Sequence, residues 1–413
     1  MAALLYIFIL LSQFGIDAIF GRRIMVGGYP VLTWFIYAIY VIAIVYSLFY
    51  ITRTKSVYRN RIFFFIYLCI FTAMFIYSMM RGTDVMKILS TSVYYVLPIV
   101  LFPTLVCIAP QRESVIKFIC LTSMLGGLLS VMFMLGLLSG IASENTVEMT
   151  RSSTIVDGGL GLVAVALALY MIFYESKNYS FFCKYGTLLA GLLIVAGGQS
   201  RARIIVMVLV IAASVIINII FSSKNRMAVI RVGIFVAIAA VAAFYLIPQA
   251  RVILTEIVGR FDTFGTDSSS VYRVFERDTQ MNAFYSNPVA GVGWNGLSNV
   301  RVTDLWGNRN QINNHNMYSS ILAYGGILYA LPFFMWFIML IFGEMKKVGR
   351  SDTAKLHIVL LMIIAVLSWS SAGFVKYSQM LSVIIIYLDI IDREHIPCPI
   401  KRRKAQKFAI KFR

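Results

Sequence analysis

The sequence predicts an all-α polytopic membrane protein with about twelve transmembrane helices and one long extracytoplasmic loop that contains short helices. Hydrophobic residues make up 60% of the 413 residues, and the mean hydropathy is +0.81. Apolar runs of about 20 residues, long enough to cross the hydrocarbon core of a bilayer, recur along the chain. One long polar interruption lies at 248–316. These features predict a bundle of membrane helices that carries a single large loop.

The spans and the loop divide the chain into four parts. About nine N-terminal spans are expected in 1–247 and three C-terminal spans in 317–391, with the loop at 248–316 between them and a basic cytoplasmic tail at 392–413. The first apolar run lacks a basic start, so it predicts a spanning helix rather than a cleavable leader. The expected spans are 3–20, 31–51, 62–80, 88–108, 115–141, 158–174, 185–198, 204–221, 229–247, 317–342, 356–374 and 377–391.

The chain carries a formal net charge of +19. Lys and Arg flank the apolar runs, where they hold spans in orientation, so the charge does not indicate nucleic-acid binding. Placing both termini in the cytoplasm gives the short inner loops nearly twice as many Lys and Arg as the short outer loops. The loop at 248–316 is then extracytoplasmic, and the predicted location is the inner membrane of a bacterium.

Arginine is the basic residue type of the long loop, which contains six Arg and no Lys. Topology does not require Arg over Lys. Planar guanidinium groups that bind phosphate or carboxylate through two hydrogen bonds are one explanation. Chance composition together with salt bridges inside the loop is the other.

A helix is predicted inside the loop at 271–285, ending at Asn287–Pro288. Arg273 and Arg277 are four residues apart on it and share a face. They form an anion clamp, or they pair locally with neighbouring acids. The expected apolar side of the helix consists of Val271, Val274, Phe275, Met281, Phe284 and Tyr285.

His315 is the strongest candidate for acid–base chemistry. The chain has three histidines, and His357 and His395 fall on the expected inner side. Histidine is the residue type that exchanges a proton near neutral pH, which makes His315 the candidate on the outer face. A structural role just before the next span is the alternative.

Other polar and aromatic positions allow two interpretations each. Arg201 and Arg203 are two residues apart at the start of a span, so at most one of them faces a given site, and either can serve as an interface anchor. Gly291–Val292–Gly293 predicts a tight turn and is not a nucleotide-binding loop, since no strand and helix flank it. Trp294 either stacks on a sugar or packs at the membrane interface.

Three motifs lie between Gly197 and Pro332. Ser200–Arg201 begins a span. Arg273 is followed by Pro288 and then by Gly291–Val292–Gly293. His315–Asn316 is followed by Tyr318 and Gly325–Gly326. With these motifs the sequence resembles the O-antigen ligase/polymerase superfamily of membrane enzymes, which are similar to C-type glycosyltransferases (GT-C-like).

Two residues depart from the family pattern. Arg203 stands where the family usually has a small residue, and Asp157 stands where similar proteins often have Asn. The roles of both are open.

The resemblance implies a substrate and a reaction. The substrate is an oligosaccharide on undecaprenyl diphosphate at the outer face of the inner membrane, and the transfer uses neither a metal nor a cofactor. A general base and a set of cationic groups for the departing diphosphate are required. The residues implied are His315 as base; Arg201, Arg273 and, more weakly, Arg277 at the diphosphate; and Trp294, Asn316 and Tyr318 as weaker substrate contacts.

The expected function is a membrane glycosyltransferase that polymerises O-antigen or capsule repeat units. Direct attack predicts inversion at the anomeric carbon, and a chain-length regulator in the membrane is an expected partner. A ligase that transfers the glycan to the lipid A core is the first alternative. A flippase or transporter of lipid-linked oligosaccharide is the second, which the lack of charge in the middle of the spans disfavours.

Overall fold

The computed structural model of the chain describes part of its length. The described residues are 6, 10, 14, 25, 26, 29, 30, 34, 38, 61–85, 87–89, 112–135, 137, 156–175, 178–198, 200–221, 226–246, 251, 255, 258, 259, 268–294, 296, 297, 300–303, 309–312, 315–370 and 378–393. The predicted spans at 3–20, 31–51 and 88–108 and the basic tail lie largely outside them. The boundaries proposed at 247 and 248 lie outside them as well.

Within these residues the chain forms ten helices and two short antiparallel hairpins. The helices are α1 (Arg61–Met80), α2 (Arg112–Met134), α3 (Gly158–Phe173), α4 (Phe181–Gly197), α5 (Arg201–Phe221), α6 (Arg226–Leu246), α7 (Ser268–Ser286), α8 (Met317–Met345), α9 (Asp352–Ser370) and α10 (Ser378–Arg393). The hairpins pair β1 (Met25–Val26) with β2 (Tyr29–Pro30) and β3 (Arg301–Thr303) with β4 (Arg309–Gln311). The all-α prediction misses these hairpins, because strands of two or three residues leave no alternating apolar pattern.

The apolar helices are those of a multi-pass membrane protein. Among the described helices, α2, α5, α8 and α9 are long and apolar enough to cross a bilayer, and α1, α3, α4 and α6 contain shorter apolar segments. Nine predicted spans coincide with α1–α6 and α8–α10. The total of twelve stays a prediction. The loop helix predicted at 271–285 is confirmed as α7, which begins three residues earlier.

Buried charges join several helix ends at one side of the bundle. The His357 side chain is fully buried, with Nδ1 2.6 Å from Glu344 Oε2 and Nε2 2.8 Å from Asp389 Oδ2. Arg112 forms ion pairs with Asp389 and Glu175. This His357 cluster brings together the start of α2, the residues after α3, the end of α8, the start of α9 and the end of α10.

Helix directions define the opposite end of the bundle. Since α3 and α8 both run toward the His357 cluster, both of them begin at the other end. There Arg203 Nη2, at the start of α5, lies 2.7 Å from Asp157 Oδ1, just before α3. We call this the His315 end, because His315 immediately precedes α8. It carries Arg201 and His315 on the same side of the bundle, and its placement outside the cytoplasm stays a prediction.

Helix α8 is broken near its start at Gly326, whose φ of 58° and ψ of −165° are not helical. The break releases backbone groups that would otherwise pair within the helix. The turn at 288–293 binds them. Val292 N–H and Gly293 N–H donate to the carbonyls of Ala323 and Tyr324, at 2.8 and 3.0 Å. Ile327 N–H donates to Pro288 O at 2.8 Å, and Leu328 N–H donates to Val289 O at 3.0 Å.

Glycine is required on both sides of this contact. A Cβ atom at Gly291, where φ is +65°, would lie 2.5 Å from the carbonyl oxygens of Ala323 and Tyr324. A Cβ atom at Gly326 would overlap the carbonyl group of Val289. Two motifs far apart in the sequence, Gly291–Val292–Gly293 and Gly325–Gly326, are therefore the two halves of one backbone junction.

The junction is also tied to α1. Trp294 N–H donates to Ser78 Oγ at 2.7 Å, and the Trp294 side chain is fully buried. Its ring packs edge-to-face on Tyr329, with ring centroids 4.9 Å apart. The loop thus enters the interior of the bundle at this point.

We predict that Gly326→Ala destabilises the protein strongly, because alanine is strained at positive φ, by about 1–3 kcal/mol, and its methyl group overlaps Val289. Thermal unfolding of the purified variant in detergent measures the loss. Gly343→Ala is the matched control, since Gly343 lies in the same helix and its Cβ would meet nothing within 4 Å. Equal melting temperatures for the two variants would contradict the junction.

Candidate active site

His315 is held by a buried carboxylate on α7. Its Nδ1 lies 2.7 Å from Glu276 Oε2, and its backbone N–H donates to Glu276 Oε1 at 3.3 Å. The Glu276 side chain is 2% exposed and that of His315 is 32% exposed. The Tyr272 ring stands perpendicular to the imidazole, with centroids 6.0 Å apart. The ring is therefore fixed in orientation while part of it stays open.

This geometry determines which ring nitrogen is available for chemistry. When the proton is on Nδ1, this nitrogen donates a hydrogen bond to the Glu276 carboxylate, and Nε2 carries the lone pair. A carboxylate in this position also stabilises the imidazolium that forms when Nε2 takes up a proton. The pair has the form of a general base with its orienting acid.

A polar stripe on α7 faces α8. Tyr272, Glu276 and Gln280 are spaced four residues apart and are all buried. Ser319 Oγ donates to Gln280 Oε1 at 2.5 Å, and Gln280 Nε2 donates to Ser320 Oγ at 3.0 Å. These bonds fix the register of α7 against the start of α8, and with it the position of Glu276 beside His315.

The apolar side expected on α7 lies away from α8. Val274, Phe275 and Tyr285 are exposed, while Val271, Met281 and Phe284 are half-buried. Glu276 binds His315, and Gln280 binds Ser319 and Ser320, so the polar stripe takes the buried side. The amphipathic pattern identified the two sides of the helix but did not reveal which of them is buried.

Asn316 and Tyr318 make structural contacts next to His315. The Asn316 side chain caps α8 by accepting from the backbone N–H groups of Tyr318 and Ser319, at 2.9 and 3.2 Å. Tyr318 Oη donates to the carbonyl of Ala365 on α9 at 2.8 Å. Both residues hold the start of α8 in place, and a contact of either with substrate stays a prediction.

Trp294 has its ring packed inside the bundle. It contacts Tyr329, as described above, and Phe71 at a centroid distance of 6.4 Å. The Trp294 ring is fully buried, which favours packing over stacking on a sugar, and a contact with substrate stays a prediction.

The two arginines of α7 differ in their surroundings. Arg277 Nε and Nη2 both donate to Asp278 Oδ1, at 3.3 and 3.2 Å, and the Arg277 side chain is 44% exposed. The local pairing considered for Arg277 is therefore present. Arg273 is exposed one turn earlier on the same helix. A diphosphate contact by either residue stays a prediction.

Arg203 has a partner inside the bundle. Besides its ion pair with Asp157, its side chain lies against Gly158, where a Cβ would approach the Arg203 Cδ and Nη1 atoms to 2.8 Å. The two residues that depart from the family pattern thus bind each other and join the starts of α3 and α5. Arg201, two positions earlier, is directed elsewhere on α5. Its proximity to His315 stays a prediction.

Glu276 is the candidate site residue that sequence reasoning missed. In the sequence, Glu276 is one of the acidic residues that could pair locally with Arg273 and Arg277. The available signal was the spacing of Tyr272, Glu276 and Gln280, which puts three hydrogen-bonding side chains on one helical stripe. Among the described residues no group of three His, Cys, Asp or Glu could hold a metal ion.

We predict that Arg203→Ala lowers the stability of the protein by about 1–3 kcal/mol, because it leaves the largely buried Asp157 carboxylate unpaired. Asp157→Asn should restore part of the loss in the double variant, since the amide needs no counter-charge. Melting temperatures of the wild type, the two single variants and the double variant form a double-mutant cycle that measures the interaction. Strictly additive losses would contradict the pairing.

Comparison with known proteins finds a family model that matches the middle of the chain. A family model described as O-antigen ligase matches residues 186–334. The matched segment contains α5, α7 and the broken part of α8, and thus Arg201, Glu276 and His315. No curated protein matches the chain. The match over residues 186–334 confirms the resemblance to the O-antigen ligase/polymerase superfamily for that segment of the chain.

Proposed function

We propose that the protein polymerises undecaprenyl-diphosphate-linked repeat units of O-antigen or capsule type at the outer face of the inner membrane. Members of the matched family are membrane glycosyltransferase-like ligases and polymerases. The observation that carries the proposal is the contact between the buried Glu276 carboxylate and the partly open His315 ring, inside the matched segment. A preorganised base at the end of a membrane bundle suits transfer to a hydroxyl acceptor.

The reaction makes one bond and breaks one. The acceptor hydroxyl oxygen attacks the anomeric carbon of the donor, and its proton passes to His315 Nε2. The bond between the anomeric carbon and the phosphate oxygen breaks, and the lipid diphosphate leaves with the electron pair. Glu276 keeps the imidazole oriented and balances the charge of the imidazolium. A single direct displacement inverts the configuration at the anomeric carbon.

Arginine side chains supply the positive charge that stabilises the departing diphosphate. Negative charge grows on the departing diphosphate, and fixed guanidinium groups stabilise it as it develops. Arg201 begins α5 at the same end of the bundle as His315, and Arg273 lies three residues before Glu276 on α7. Arg277 is the weaker third candidate, and in this structure it binds Asp278.

Polymerase is proposed over ligase because the loop is mid-sized and its sequence contains no dedicated site for a large phosphorylated lipid A core. The family match alone does not separate the two activities, which share the donor and differ in the acceptor. Lipid-linked repeat units as substrate fit the family. A chain-length regulator in the membrane is proposed as a further partner of the polymerase. Nothing in the described residues favours a flippase.

We predict that His315→Ala lowers the transfer rate by about 10²–10⁴-fold, the usual contribution of a general base, while the protein stays folded in the membrane. Reconstituted protein with lipid-linked repeat units measures the rate, and thermal unfolding checks the fold. Arg201→Ala and Arg273→Ala should also abolish product. Near-normal turnover by His315→Ala would remove the base assignment.

We predict that Glu276→Gln lowers turnover less than His315→Ala does, because the amide oxygen still accepts from Nδ1 but carries no charge to balance the imidazolium. Asp278→Asn is the matched control, since Asp278 is an exposed carboxylate two residues away on the same helix. Steady-state rates separate the two variants. Equal rates for Glu276→Gln and Asp278→Asn would contradict the role of Glu276.

Purified protein with lipid-linked repeat units, with and without lipid A core, tests the activity itself. We expect a ladder of products from repeat units alone, because the polymerase uses a second repeat unit as acceptor. A product that forms only with lipid A core would show a ligase instead. Movement of intact substrate across the bilayer would show a transporter.

A further inference from the structure

The side of α7 that faces away from α8 is apolar. At 100° per residue, Val271, Val274, Met281 and Tyr285 fall together on the side opposite the buried polar stripe. Val274 is 47% exposed and Tyr285 is 68% exposed. The outward side of α7 thus presents Val274 and Tyr285 among exposed charged residues. Apolar side chains with charges beside them are typical of a helix at a membrane interface.

The apolar face is continuous with the lipid-facing surface of the bundle. Ile327, Leu331 and Phe342 of α8 are exposed, at 50, 54 and 58%, as expected for side chains that contact acyl chains. Val289, 67% exposed, follows the end of α7 and is bound through its carbonyl to Leu328 N–H. The exposed surface of the span thus extends across the Gly326 break to the end of α7.

The charges around the face fit a membrane interface. Arg273 and Arg277 lie along one flank of it, and Asp278, the acid on the face itself, is bound by Arg277. A helix with an apolar side and flanking basic residues lies in the plane of the interface, with its cations at the level of the lipid phosphates. His315 is bound by α7 and lies two residues before the first residue of the span α8. This contact holds α7 at the depth in the membrane where that span begins.

We propose that α7 is an interfacial helix whose apolar face, Val271, Val274, Met281 and Tyr285, is covered by lipid of the leaflet at the His315 end. The occupant is the headgroup and upper acyl region of that leaflet. If the proposed function holds, this placement puts Arg273 at the depth where the diphosphate of a lipid-linked donor lies. The donor would then reach the site by moving within the leaflet.

Nitroxide accessibility in the full chain tests the proposal without any assay of activity. The five native cysteines are replaced by alanine, and single cysteines are introduced by Val274→Cys and Tyr285→Cys. Each variant is spin-labelled and placed in phospholipid nanodiscs. Relaxation by oxygen, which concentrates among acyl chains, is compared with relaxation by a nickel chelate, which stays in water. Leu331→Cys is the lipid reference, and Ser286→Cys is the control, an exposed neighbour of Tyr285 on a different side of α7.

We expect labels at 274 and 285 to be relaxed more by oxygen than by nickel, as at 331, and the label at 286 to show the reverse order. Stronger relaxation by nickel at 274 and 285 would overturn the proposal, because the face would then border water. Protection of both labels from both reagents would also overturn it, because a protein surface would then cover the face. Either failure leaves the proposed transfer activity untouched, because no catalytic residue is changed.

Discussion

Backbone hydrogen bonding at the break in α8 is the constraint on which the rest of the site depends. A polar backbone group left without a partner inside a membrane bundle costs several kcal/mol, so a span can be interrupted at Gly326 only if another segment supplies donors and acceptors. The turn at 288–293 does this with four bonds, two in each direction. Because that turn directly follows α7, the same contact fixes where α7 ends and brings Glu276 beside His315.

Polar groups at the two ends of the bundle are arranged for different tasks. At one end His357 is fully enclosed, and both ring nitrogens contact carboxylates, so the group serves to hold helix ends together. At the other end His315 has one nitrogen bound to Glu276 and a ring that is still partly exposed. The same residue type is thus structural where it is saturated with partners, and suited to proton transfer where one nitrogen is left open.

Local patterns predicted much of this fold. Apolar run length located nine described helices, and the motifs around Arg201, Arg273 and His315 gave the resemblance that the family model supports over residues 186–334. What could not be predicted depends on contacts between distant segments. The orientation of α7 follows from the contacts of Glu276 with His315 and of Gln280 with the start of α8, and helical periodicity alone does not reveal them. The pairing of Arg203 with Asp157, 46 residues apart, and the burial of Trp294 against α1 and α8 likewise become visible only in three dimensions.

The proposed function requires that Arg201, Arg273 and His315 face one site, where the lipid diphosphate is released from the donor sugar. A cryo-electron microscopy structure of the protein in nanodiscs with bound undecaprenyl diphosphate tests it most directly. The account predicts diphosphate density within hydrogen-bonding distance of Arg201 and Arg273, with Nε2 of His315 facing it and Glu276 on Nδ1. Diphosphate bound elsewhere, or Arg201 and His315 on separate surfaces with no cavity between them, would contradict it.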